Sequence, residues 1–259
     1  AALPGYVALQ QRLRHWVKEQ SQGWDLGTGT ARRRLYRLLY GSRAALEEVS
    51  LHHLGTAPAL LHGVDEPSTT PSAMIAGVRI HSGDMLVSRG GYPTSALIAR
   101  GNDFPGVFSH VALVHVDATT GAASTIEAHI ENGVRIATAE EYLGDKKLRI
   151  LVLRPRATLP ALVADPMLPH RAATAAIERA RREHIPYDFA MDYTDAGKLF
   201  CSEVASAAYR DAGVTLWTGL STITAPGLRR WLASFGVKQF ETRTGGLPAP
   251  SRPTASPSA

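Results

Sequence analysis

The chain has 259 residues, enough for one large domain or two small ones with a substantial hydrophobic core. Its 44% hydrophobic and 20% charged residues exclude a wholly disordered or collagen-like chain, and its single cysteine excludes an internal disulfide and a cysteine-rich zinc site. The net charge of +5 suits nucleic acid, anionic lipid or an acidic polymer, but Arg12, Arg14, Lys18, Arg32, Arg33, Arg34, Arg37 and Arg43 crowd the first fifth. Such a run reads first as a solvated helical face.

From about Tyr6 to Leu54 apolar residues recur at helical spacing: Leu9, Leu13, Trp16 and Val17, then Leu35, Leu38 and Leu39, then Leu46 and Val49. The segment Gly23 to Gly29 separates two helices, and Thr56 to Ser72 reads as a connection. After Gly77 the pattern changes to short strands: Met85 to Ser88, entered through a Gly83-Asp84 turn, then His110 to Val116, Ser124 to Ile130, Gly133 to Ala137 and Leu148 to Leu153. Helices return at Ala172 to Glu183, Ser202 to Asp211 and Pro226 to Phe235, and the tail from Gly245 has a disordered composition. Helices, then antiparallel strands, then helices predict an α+β fold. The longest apolar runs, such as Val111 to Val114, are too short to cross a bilayer as a helix. No phosphate-binding glycine loop follows a strand.

Cys201 stands immediately before the helical pattern of Val204, Ala205, Ala208 and Tyr209. Unpaired N–H groups and the dipole at a helix start stabilise a thiolate, and they can also stabilise an oxyanion. A nucleophilic thiol needs a base, and His110 opens a strand. The hairpin centre near residue 119 or 120 sets position 110 opposite about 128 to 130, so Glu127 lies directly across or one diagonal step away. Glu127 is the better partner for the imidazole because a carboxylate fixes its tautomer and stabilises imidazolium, while His129 competes for that place. Tyr187, in the Pro186-Tyr187-Asp188-Phe189 loop, offers a hydroxyl to the oxyanion, and Asp188 reads as a turn or capping residue. Taken singly, each of these residues has a plainer reading as a buried cysteine, a strand-end histidine, an exposed carboxylate or a packing tyrosine. His52-His53 and His62 fall in a weakly patterned region without the His-Glu-x-x-His spacing, so neither a metal nor any other cofactor is expected.

In chain order the segments Gly83-Asp84-Met85-Leu86-Val87, Ser109-His110-Val111-Ala112, Ile126-Glu127-Ala128 with Gly133-Val134, Tyr187-Asp188-Phe189 and Phe200-Cys201-Ser202-Glu203-Val204 follow one another. This order resembles the circularly permuted, papain-like branch of the NlpC-like cysteine hydrolases, the YiiX/YaeF-type bacterial proteins, over roughly Gly77 to Phe240. The resemblance implies a Cys-bearing helix packed on a small antiparallel sheet, with Cys201 as nucleophile, His110 as base, Glu127 as third member and Tyr187 near the oxyanion. With periodicity and composition read on either side of it, the chain divides into a helical N-terminal extension (1–75), the catalytic domain that the resemblance implies (76–242) and a disordered tail (243–259). The expected activity is a metal-free amidase or peptidase acting on a peptide or amide substrate, cell-wall peptides among the candidates.

Two other readings remain open at the level of sequence. The same triad suits acyl transfer or ester cleavage on lipids, with the basic N-terminal helices on an anionic membrane, although the Asn-Cys-Glu-His signature of lecithin retinol acyltransferase-like proteins is replaced by Phe200-Cys201-Ser202-Glu203. A non-catalytic binding module with a buried Cys201 is the other, and nucleic-acid binding is not expected. The first residue, Ala1, fits signal cleavage or a trimmed start, so a periplasmic or secreted location is the expectation, with cytoplasmic as the alternative.

Overall fold

The computed structural model describes residues 2–52, 65–102, 106–191, 194–235 and 241–246. The chain divides into two compact units; among the described residues the first takes in 2–52 and 217–219, the second 65–102, 106–191, 194–216, 220–235 and 241–246. In the first, α1 (Ala2–Gln20) ends in a short 3-10 turn, and α2 (Gly29–Tyr36) runs through a π-helical turn, Arg37–Gly41, into α3 (Ser42–Leu51). The glycine-rich break falls where the sequence places it, and Thr28 caps α2 by accepting from Ala31 N. The other candidate metal ligands, His53 and His62, lie outside the described residues, as does the tail from 247.

The second unit is built on a five-stranded antiparallel sheet in the order β6-β5-β4-β3-β7. Its strands are β3 (Met85–Gly90), β4 (His110–Val116), β5 (Ala123–His129), β6 (Gly133–Thr138) and β7 (Lys147–Leu153). A hairpin precedes it, β1 (Ser72–Ile75) and β2 (Val78–His81). Residues 72–81 give no strand pattern because the strands are four residues long and the turn is Ala76-Gly77, with positive φ at both positions, rather than Asn-Gly. Helices α4 (Pro93–Arg100), α5 (Ala139–Gly144) and α6 (Pro160–Ala164) also appear where sequence periodicity shows none, since each is eight residues long or shorter. The longer helices, α7 (Leu168–Arg182), α8 (Cys201–Asp211) and α9 (Pro226–Ala233), agree with the expected ones to within a few residues. Two further strands, β8 (Trp217–Thr222) and β9 (Glu241–Gly246), were not expected, and β9 takes in Gly245 and Gly246.

Alternation along β4 and β5 splits the core into two layers. Leu113, Ile126 and Ala128 face α7 and α8, joining Ala173, Ile177, Val204 and Tyr209. Ala112, Val114 and Val116 face the opposite way, toward Ile75, Ile80, Leu86 and Tyr142. Helix α8 packs across β4 and β5, with α7 beside it, so the first residue of α8 comes to the end of the sheet where β4 begins.

The Gly83-Asp84 turn ties these layers together. Gly83 N donates to Val114 O and Val114 N to Asp84 O, both at 2.8 Å, and Tyr209 of α8 donates its hydroxyl to Gly83 O at 2.7 Å. Asp84 is buried, its carboxylate gripped by Arg154 through Nε (2.7 Å) and Nη2 (2.8 Å) and by the His81 N–H (2.7 Å). Gly83 has φ +95°, and a Cβ there would stand 2.3 Å from Pro169 Cβ. Gly83→Ala therefore combines backbone strain with a clash against α7 and is expected to cost about 2–4 kcal/mol, read as a lowered thermal midpoint.

Candidate active site

Cys201 is the first residue of α8. Phe200 precedes it in extended backbone, φ −99° and ψ 172°, which swings the chain into the helix. Glu203, almost fully buried, reaches back to accept from Phe200 N at 3.0 Å, so this acid of the Cys-Ser-Glu-Val segment caps the helix that carries the thiol. Cys201 itself is partly exposed as a residue.

The β4–β5 ladder pairs Leu113 with Ile126 and Val116 with Ala123. Continuing that register sets residue 110 opposite 129, which makes Glu127 the diagonal neighbour of His110, within the range read from the hairpin. His110 Nε2 lies 2.8 Å from Glu127 Oε2. That engages Nε2 and leaves Nδ1 for Cys201, whose sulfur is hydrogen-bonded to the His110 side chain and accepts from the N–H groups of Val111 and Ser202. The fold thus brings Cys201, His110 and Glu127 into one line.

Glu127 is 1% exposed and lies between three nitrogen-bearing side chains. His129 Nε2 is 3.2 Å from the same Oε2, off the line of a good hydrogen bond, and Arg135 Nε is 3.8 Å from Oε1. The two imidazoles meet edge-on with centroids 5.3 Å apart. Arg135 was not singled out in the sequence; the signal was the β5–β6 hairpin, which places it directly opposite Glu127. Ser88, opposite His110 on β3, and Tyr142 of α5 are both buried on this side of the sheet, and Glu127's charge acts on the Tyr142 phenol.

Burial alone would neutralise these groups, yet their mutual contacts prevail. Desolvation pushes the Cys201 thiol up, but the His110 hydrogen bond, its charge and the two backbone N–H groups hold it below its ordinary value. Burial pulls the His110 imidazole down, and the bonds to Cys201 and Glu127 raise it to about 9. Burial pushes the Glu127 carboxyl up, and His110 and His129 together hold it well below the carboxylate range. A carboxylate depressed in the folded state contributes stability that is present above its ordinary 4.5 and is lost as pH falls below it. Glu127→Gln is therefore expected to lose less stability than the wild type on acidification, as measured by thermal melts through that range.

Tyr187 approaches from the loop before α8. It bridges Leu199 in parallel, Leu199 N donates to Pro186 O at 3.1 Å, and Asp188 N donates to Leu199 O at 3.2 Å. Its phenol is held above the ordinary range by burial, then by the Cys201 charge. The base of this loop is fixed by Val134 N donating to Ile185 O at 2.8 Å, an approach that only glycine permits at position 133: φ is +71°, and a Cβ would stand 2.1 Å from Ile185 O. Asp188 is buried and accepts from Ala190 N at 2.9 Å, the turn role expected of it.

His110, Glu127 and His129 are also the residues whose chemistry could hold a metal ion. One ligand atom from each lies within 4.8 Å of the others, the one such group of three among the described residues.

A histidine-bearing strand that comes before the cysteine-bearing helix in the chain, with the helix packed on an antiparallel sheet, fits a permuted papain-like architecture. Residues 79–224 match the model described as permuted papain-like amidase enzyme, YaeF/YiiX, C92 family, and the chain belongs to that family. A search of curated proteins found no match. Among solved structures, that of metalloprotein yiiX from Escherichia coli O157:H7 is similar, with a TM-score of 0.48 and 17% identity over 64% of this chain and 88% of that one.

Proposed function

We propose that this amidase-family protein cleaves an amide bond in a peptide through an acyl-enzyme on Cys201, with His110 and Glu127 completing the triad. The observation that carries the reading is the continuous connection of thiol, imidazole and carboxylate, with the His110–Glu127 contact at 2.8 Å. The Cys201 thiolate attacks the carbonyl carbon and forms the C–S bond. His110 gives its Nδ1 proton to the departing amine as the C–N bond breaks, and it then takes a proton from water as that water attacks the thioester. Hydrolysis releases the acid and restores the thiolate–imidazolium pair. Glu127 holds the Nε2–H throughout and offsets the imidazolium charge. The helix-start N–H groups and the Tyr187 hydroxyl supply donors for the carbonyl oxygen as it gains charge.

The test is amide hydrolysis by the full chain across a panel of peptides, cell-wall peptides included. Cys201→Ala is expected to abolish turnover while leaving the fold intact, seen as an unchanged circular dichroism spectrum and melt. Equal turnover by that variant would sink the reading.

A further inference from the structure

The cluster of Glu127 Oε2 and the two imidazoles beside it suits a second chemistry. We propose that His110, Glu127 and His129 form a zinc site, and that its occupancy switches the hydrolase off by taking His110 Nε2 and Glu127 Oε2 out of the catalytic line. Two imidazole nitrogens and one carboxylate oxygen are the protein ligand set of a three-residue zinc site with a fourth position free for water. Both imidazoles present Nε2 to one oxygen, at 2.8 and 3.2 Å, and all three ligand atoms lie within 4.8 Å of one another. Zinc bonds of about 2.0–2.2 Å require the ligands to move by roughly an ångström or less.

Two features favour this over a merely crowded carboxylate. His129 Nε2 is buried without a hydrogen-bond partner although it sits beside the Glu127 oxygen, so it aims a lone pair or a proton at a space the two imidazoles share. The carboxylate is also divided, since Arg135 approaches Oε1 and both histidines approach Oε2. A metal on Oε2 therefore need not displace the guanidinium.

The site excludes the thiol. With Nε2 turned to Glu127, the His110 ring stands between the metal position and Cys201, which is engaged from the other nitrogen. Zinc on Nε2 displaces the proton there to solvent and leaves a single proton on Nδ1. A ring bonded to metal gives up that last proton far less readily than imidazolium does. The leaving amine then goes unprotonated and acyl transfer stalls. This inhibitory consequence rests on the amidase reading, whereas the site itself rests only on the His110–Glu127–His129 geometry.

The experiment is competition for Zn2+ between the metal-free full chain and a chromogenic chelator, repeated with His129→Gln and Cys201→Ala. One zinc per chain is expected for the wild type, with affinity at least about tenfold weaker in His129→Gln and unchanged in Cys201→Ala. The absence of stoichiometric binding would overturn the proposal, as would unchanged affinity in His129→Gln or loss of binding in Cys201→Ala, which would move the metal onto the thiolate. Should His129→Gln fail to fold, Co2+ in the wild type decides: visible bands without a near-ultraviolet thiolate band support the site, and a thiolate band or no bands refutes it. If zinc binds in this way, amide turnover is expected to fall at least about tenfold and to recover with chelator. Zinc binding without any amidase activity would keep the site and remove the proposed function; amidase activity without zinc binding would do the reverse.

Discussion

His110→Ala is expected to reduce amide turnover by about three orders of magnitude or more and to return the Cys201 thiol toward the ordinary thiol range. The variant removes the largest contribution that opposes the thiol's desolvation, leaving the weaker Val111 and Ser202 N–H contacts to the sulfur. It also removes the proton donor for the leaving amine. The loss should therefore appear in kcat more than in KM. Single-turnover assays with an ester, whose leaving group needs less protonation, should recover part of the rate. Equal losses on ester and amide would show that His110 serves only to set the thiol's charge.

Glu127→Gln is expected to reduce kcat/KM by about two to four orders of magnitude with little change in fold. Glutamine keeps the volume of a side chain that is 1% exposed, but it removes the charge that supports both His110 and His129. Without it the imidazolium is less favoured, so the upper limit of activity should retreat from about 9 toward the ordinary histidine value of 6.5. The sign follows from the raised folded value, since the charged ring persists below it and is lost as pH rises through it. A variant that kept the wild-type alkaline limit would assign that limit to another group. Glutamine's amide also offers a wrong hydrogen at the position where Nε2–H must donate, so part of the loss should be tautomeric and insensitive to pH.

Much of this site was legible in the sequence because short-range geometry placed it. The β4–β5 hairpin has a short turn around residues 119 and 120, so its register follows by counting to within a residue, which brings Glu127 directly across from His110 or one diagonal step away; the ladder makes it the diagonal. Cys201 was placed at a helix start by the periodicity that follows it, and it is the first residue of α8. The chain order of the motif segments pointed to the family that the match over residues 79–224 shows.

Other parts depended on contacts that no local pattern records. Arg135 faces Glu127 only through a second hairpin, and Tyr142 reaches this side of the sheet from a six-residue helix too short to show periodicity. Glu203 reads as one more helix-surface acid until its carboxylate is seen to be buried against the N–H of Phe200. The β1–β2 hairpin turns at Ala76-Gly77, and alanine at positive φ is a rare choice that turn statistics do not anticipate. His110 and His129 meet at Glu127 across two strands, a contact that local histidine spacing does not record.

The most direct measurement is the pH dependence of Cys201 alkylation in the native protein, beside His110→Ala. The geometry predicts rapid modification that persists well below the ordinary thiol pKa of about 8.5 and that shifts to an ordinary thiol profile in the variant. A wild-type profile that already matches a free thiol, or modification only after unfolding, would contradict the thiolate–imidazolium pair on which the proposed mechanism stands.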